Sequence, residues 1–156
     1  MATATVDSMH PRRRLVSAVS LLVAAVVVAA ACSSAATAPT IAQAWARPAA
    51  AGAESAAYLT ITSAPGQADA LVSASSPGAE AVELHEVSTD ASGMTGMKPV
   101  DHLDIHAGET VQLKPGGFHL MIMGLKSELT VGGTLELDLV FETAGKVVVQ
   151  AEIRQG

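Results

Sequence analysis

Cysteine is nearly missing from this chain: Cys32 is the only one in 156 residues. A thiolate-ligated blue-copper centre, which needs a Cys on the metal, is excluded if Cys32 stands outside the fold. Aromatic residues are also scarce, at 3%, so a core must be built from Val, Leu, Ile and Ala. Cations are few. Nine Lys and Arg stand against 15 Asp and Glu, for a net charge of −6. With a pI near 5.2, the chain lacks the basic footprint of a nucleic-acid binder. No internal repeat is present, and no nucleophile–base arrangement suggests an enzyme. The apolar share, 49%, suffices for one core, and the length allows one domain with some chain left over.

The charge is unevenly spread. Arg12, Arg13 and Arg14 precede an uncharged run from Leu15 to Ala31, and only Asp7 is acidic in this region. From Cys32 onward, 14 acids face 6 Lys and Arg, a balance of −8. A basic head, an apolar run and small residues at its end describe an export signal over 1–31. The four residues Ala29-Ala30-Ala31-Cys32 resemble the bacterial lipoprotein signal, in which cleavage leaves a lipidated cysteine at the new terminus. Ala29 departs from the Leu usual at its position. A plain secretory signal and an uncleaved anchor are the alternatives, and all three place the domain outside the cytoplasm. Residues 32–40 read as a flexible tether and the folded domain as 41–156.

Beyond the tether the pattern is that of strands. AYLTIT (57–62), ADALVSAS (68–75) and EAVELHEV (80–87) are separated by Pro/Gly turns. MKPV (97–100), 109–113, FHLMIM (118–123), TLELDLVFE (134–142) and KVVVQAEI (146–153) follow, with one helical turn expected over 124–129. The Ala-rich 42–56 is ambiguous, since Pro48 and Gly52 oppose a long helix. Seven or eight short strands predict an all-β fold, an antiparallel Greek-key sandwich or barrel.

The chemistry concentrates in 85–121. Side chains two apart on a strand share a face, so His119 and Met121 point one way while Leu120 and Ile122 point the other. His85 and Met97 can complete a four-ligand shell. Two imidazoles and two thioethers are soft, neutral donors, suited to Cu(I) rather than Zn(II). A thioether forms no disulfide outside the cytoplasm and sheds no proton on binding. It is also a weaker donor than a thiolate, which favours carrying an ion over storing it.

The spacing is His85, Glu86, ten residues, Met97, twenty-one residues, then His119-Leu120-Met121. It resembles the signature of the periplasmic copper chaperone family PCu(A)C. AWAR (44–47), YLTI (58–61), ASSP (74–77), VELHE (82–86) and KPGGFHLMIMGLK (114–126) agree with it, so the likeness spans roughly 41–156. Glu86 stands where Met is frequent. The His- and Met-rich tail of some members, with any second copper site in it, is missing. The resemblance implies a cupredoxin-like fold. It also implies a role in carrying Cu(I) to the dinuclear copper site of cytochrome c oxidase, alongside Sco-type thiol proteins.

Taken singly, a Met in a β-protein is ordinarily core packing and a His a solvated polar group. The spacing and the export signal together favour copper binding. Met94 could substitute for Met97, and Met123 could line either the site or the core. His102 and His106, among Asp101, Asp104 and Glu109, read as solvated surface, with a weak divalent-ion site as the sharper alternative. Trp45 and Tyr58 read as core or rim aromatics. Two functions follow: copper delivery, or an extracytoplasmic copper buffer without a dedicated client.

Overall fold

The computed structural model describes residues 37–156. The export segment expected over 1–31, Cys32 and the first part of the tether lie outside the described residues. Ten strands form: β1 Thr40–Ala46, β2 Ser55–Thr62, β3 Asp69–Ser75, β4 Ala81–Thr89, β5 Thr95–Pro99, β6 Leu103–Ile105, β7 Thr110–Leu113, β8 Phe118–Met123, β9 Thr134–Phe141 and β10 Gly145–Ile153. No helix occurs among the described residues, so none there is long and apolar enough to cross a membrane.

Seven strands close a barrel in the order β3-β4-β8-β2-β1-β10-β9, with β9 pairing back to β3. Closure removes most of the open edges a sheet would otherwise expose. The neighbours β4–β8, β3–β9 and β1–β10 are not consecutive in the chain, which gives the Greek-key connectivity. The short strands β5, β6 and β7 attach to β4, β3 and β2. Every pairing is antiparallel except β1 with β10, which run parallel.

The period-2 pattern sets the interior. Leu135, Leu137, Leu139 and Phe141 of β9 are all buried, as are Leu59 and Ile61 of β2 and Leu120 and Ile122 of β8. Where β1, β2 and β10 meet, Ala46, Ala57 and Ala151 are fully buried. Their small side chains let three backbones approach closely. Asp69 is the one buried carboxylate among the described residues. Its Oδ1 accepts from the N–H groups of Ala70 and Thr143, and its Oδ2 from that of Ala144. The carboxylate thereby clamps the β9–β10 turn onto β3.

One expectation needs correction, and one ambiguous stretch is resolved. Residues 124–129 form no helical turn. Their backbone bonds go to distant segments, Leu125 N–H to Ala53 O and Lys126 N–H to Gly78 O, while Leu129 bridges Ala49. The Ala-rich start of the domain contains a strand, β1. It carries a bulge between Ala42 and Trp45, with Gln43 at φ 53°. The bulge breaks the alternation that would have marked the strand.

Candidate metal centre

Three adjacent strands, β5, β4 and β8, present the candidate residues on the barrel's outer face. His85 of β4 lies directly opposite His119 of β8, and Glu83 opposite Met121. Val87 of β4 faces Met97 of β5. Because side chains alternate, His119, Met121, Glu83, His85 and Met97 all fall on the face opposite the core residues Leu120, Ile122 and Leu84. The two imidazoles stand edge to face, with centroids 5.8 Å apart and planes at 62°.

Each ring has one nitrogen already committed, and the partner fixes which. His119 Nδ1 lies 3.1 Å from the carbonyl oxygen of Gly117. A carbonyl only accepts, so Nδ1 carries the proton and Nε2 keeps its lone pair. His85 Nε2 lies 3.1 Å from Glu83 Oε2, a carboxylate acceptor. His85 Nδ1 then holds the lone pair, and it is buried with no hydrogen-bond partner among the described residues. An orphaned buried acceptor costs about 1–3 kcal/mol unless something fills it. Both rings thus offer one free donor nitrogen.

Gly117 reaches His119 through a tight turn. Gly117 N–H donates to Lys114 O across Pro115 and Gly116, and Gly116 has φ +80°. Proline second and a positive-φ glycine third make the turn that sequence order demands. Beside it a cavity of about 430 Å³ is bordered by His119, Met121, Met97, Tyr58 and Arg47. His85 does not border this cavity and joins the group through the His119 ring. Exposure grades outward. His119 is 4% exposed and Met97 61%.

Aromatic residues that sequence reasoning placed only in the core or rim support this wall. Trp45 and Tyr58 stack at 4.5 Å between centroids, and Tyr58 lies 6.4 Å from the His119 ring. Arg154 caps Trp45 and Arg47 caps Tyr58. Glu83 was also missed. Its signal was present, since it lies two residues before His85 on an alternating strand. Met123 is half-buried opposite Ala81 and does not border the cavity. Met94 sits outside it, at the β4–β5 turn. His102 pairs with Asp104 at 3.6 Å, and His106 separately with Glu109 at 2.7 Å, both exposed. Among the described residues no three His, Cys, Asp or Glu side chains converge. The side chains this face brings together are imidazoles and thioethers, with the Glu83 carboxylate beside His85.

The LpqE-like family, described as one of lipoproteins, matches residues 39–153. The chain belongs to this family. The LpqE-like chain is 30% identical over 114 residues to the Leifsonia xyli subsp. xyli protein Lxx21020, which bears a lipoprotein name, covering 73% of this chain and 68% of that one. Among solved structures it is similar to the Cu(I) form of DR1885 from Deinococcus radiodurans. The identity is 35% and the TM-score 0.58, over 78% of this chain and 83% of that one. The copper-bound PCuAC domain of PmoF2 shares the fold, with TM-score 0.64 at 24% identity, over 78% of this chain and 97% of that one. The all-β barrel is thus cupredoxin-like, the fold shared with the PCuAC domain of PmoF2.

Proposed function

We propose that this chain is an extracytoplasmic copper chaperone that carries one Cu(I) on His85, Met97, His119 and Met121. The observation that carries the reading is the pair of registered imidazoles. Each has its second nitrogen committed to Gly117 or Glu83, and two thioethers stand on the same face. Such a shell is neutral and soft, matching Cu(I) in charge type and polarizability. Copper here is cargo. The Cu(I) form of DR1885, at 35% identity, supports the same ion for this chain.

Delivery is favoured over buffering by the exposure of Met97, which at 61% leaves one donor of the shell open to an incoming protein. A thiolate-bearing acceptor can then take the ion through a shared-ligand intermediate. We assign the acceptor as the dinuclear copper domain of cytochrome c oxidase, working with Sco-type thiol proteins. The test is transfer between purified proteins under reductant. Cu(I) moves from the loaded chain to excess apo oxidase domain, and His119→Ala abolishes ordered loading. A loaded chain that keeps its ion beside excess apo-acceptor makes it a copper buffer instead.

A further inference from the structure

The β4–β5 hairpin projects from the barrel as an arm, and it is unusual in what it exposes. All five residues of β5 are exposed. Of the large hydrophobic side chains that are exposed among the described residues, Met94 stands highest at 70%, ahead of Met97 at 61%. Both are thioethers, three residues apart on one arm. They border one shallow cavity of about 350 Å³ with Asp90 and Ser88. Met97 also borders the inner cavity with His119 and Met121. Met97 is therefore shared between an outer and an inner space.

The turn holds the Met94 backbone through Asp90. Asp90 Oδ1 accepts from the N–H groups of Ser92 and Met94 and from the Ser92 hydroxyl. Gly93, at φ +84°, supplies the left-handed residue the turn requires. Below the turn, Thr89 and Thr95 bond through their hydroxyls at 3.1 Å. An apolar side chain at such a tip loses the stabilisation of burial, while the turn's hydrogen bonds hold the Met94 backbone.

We propose that Met94 and Met97 form an outer docking station for Cu(I), through which the ion enters and leaves the inner site. The proposal rests on the inner four-ligand reading. In each step the ion stays Cu(I). Coming in, it is held by the Met94 and Met97 sulfurs. A bond to Met121 or His119 forms, the bond to Met94 breaks, and Met97 stays bound throughout. Leaving reverses the order. No electron or proton is exchanged with the thioethers, so the step needs no co-reactant.

The experiment is stopped-flow loading of the full domain from Cu(I)-bicinchoninate under reductant, with Met94→Leu, Met97→Leu, Met121→Ala and Met123→Leu compared. Leucine keeps the apolar volume and removes the sulfur. Met94→Leu is expected to slow loading roughly tenfold, the loss of one weak ligand contact, with a far smaller loss of equilibrium affinity than Met97→Leu. Met123→Leu should load at the native rate. Labelled methionine methyl groups should show Met94 shifting on addition of Ag(I), a soft stand-in. Loading by Met94→Leu at the native rate overturns the station. An affinity loss as large as that of Met97→Leu also overturns it, because Met94 would then be a resident ligand. Native affinity in Met121→Ala would instead mark failure of the inner site, whatever Met94 does.

Discussion

Two nitrogen atoms set how the candidate site's imidazoles are presented. His119 Nδ1 is tied to Gly117 O and His85 Nε2 to Glu83, each at 3.1 Å, so each ring presents one defined lone pair. Partners of this kind orient a ligating ring and raise its basicity, and losing one typically costs 10–100-fold in metal affinity. Glu83 is half-exposed, so its removal should leave the fold intact. Glu83→Ala is expected to weaken Cu(I) binding by about tenfold or more, with Glu83→Gln retaining much of the affinity through its amide oxygen. Competition with a calibrated Cu(I) chelator measures both, and native affinity in Glu83→Ala would remove Glu83 from the site. The candidate ligands could be proposed from the sequence because spacing and soft donors coincide there. Glu83 and Tyr58 were not. A carboxylate and a phenol occur on any strand, and only the register shows what each one meets.

Among the elements, strands with clean alternation were legible and compromised ones were not. FHLMIM, read as a strand over 118–123, is β8 with the same bounds. β1 escaped because Ala is a weak strand former and the Gln43 bulge interrupts its period. β6 escaped because its three residues, Leu103 to Ile105, are too few to show a pattern. Residues 124–129 misled because Leu, Lys and Glu favour helix locally, whereas their backbone bonds are made across the barrel end. The parallel β1–β10 pair has no local signature at all. The β4–β5 arm brings a prediction of its own. Asp90 has its carboxyl held below the ordinary value, first by the Ser92 hydroxyl and then by Met94 N–H. A lowered value means that the charged form stabilises the turn. That contribution is complete above the ordinary carboxyl range and is lost as pH falls through the lower folded value. Amide exchange at Met94 should therefore accelerate on acidification through that window. Asp90→Asn, which keeps the acceptor oxygen, should remove the pH dependence. Exchange that ignores pH in the native chain would contradict this account of the turn.

For the whole molecule, the barrel serves as a rigid face. Interior residues from Leu120, Ile122 and the β9 stripe lock β8 in register, and that register sets His85 opposite His119. The all-β class and the approximate strand set were legible because 2-residue periodicity survives in most of the chain. Closure was not, since it depends on β3 meeting both β9 and β4. The lipoprotein description of the family motivates a prediction about attachment. Cys32 is taken as the lipidated residue, so Cys32→Ala should release the chain from membrane fractions with copper affinity unchanged. Tight membrane association of that variant would favour an uncleaved Leu15–Ala31 anchor.

The central claim is the ligand shell, and X-ray absorption at the copper edge of the Cu(I)-loaded chain tests it most directly. The account predicts both sulfur and nitrogen scatterers around one copper, with the sulfur contribution diminished in Met121→Ala and the nitrogen contribution diminished in His119→Ala. A shell of nitrogen and oxygen alone, unchanged by Met121→Ala, would contradict it.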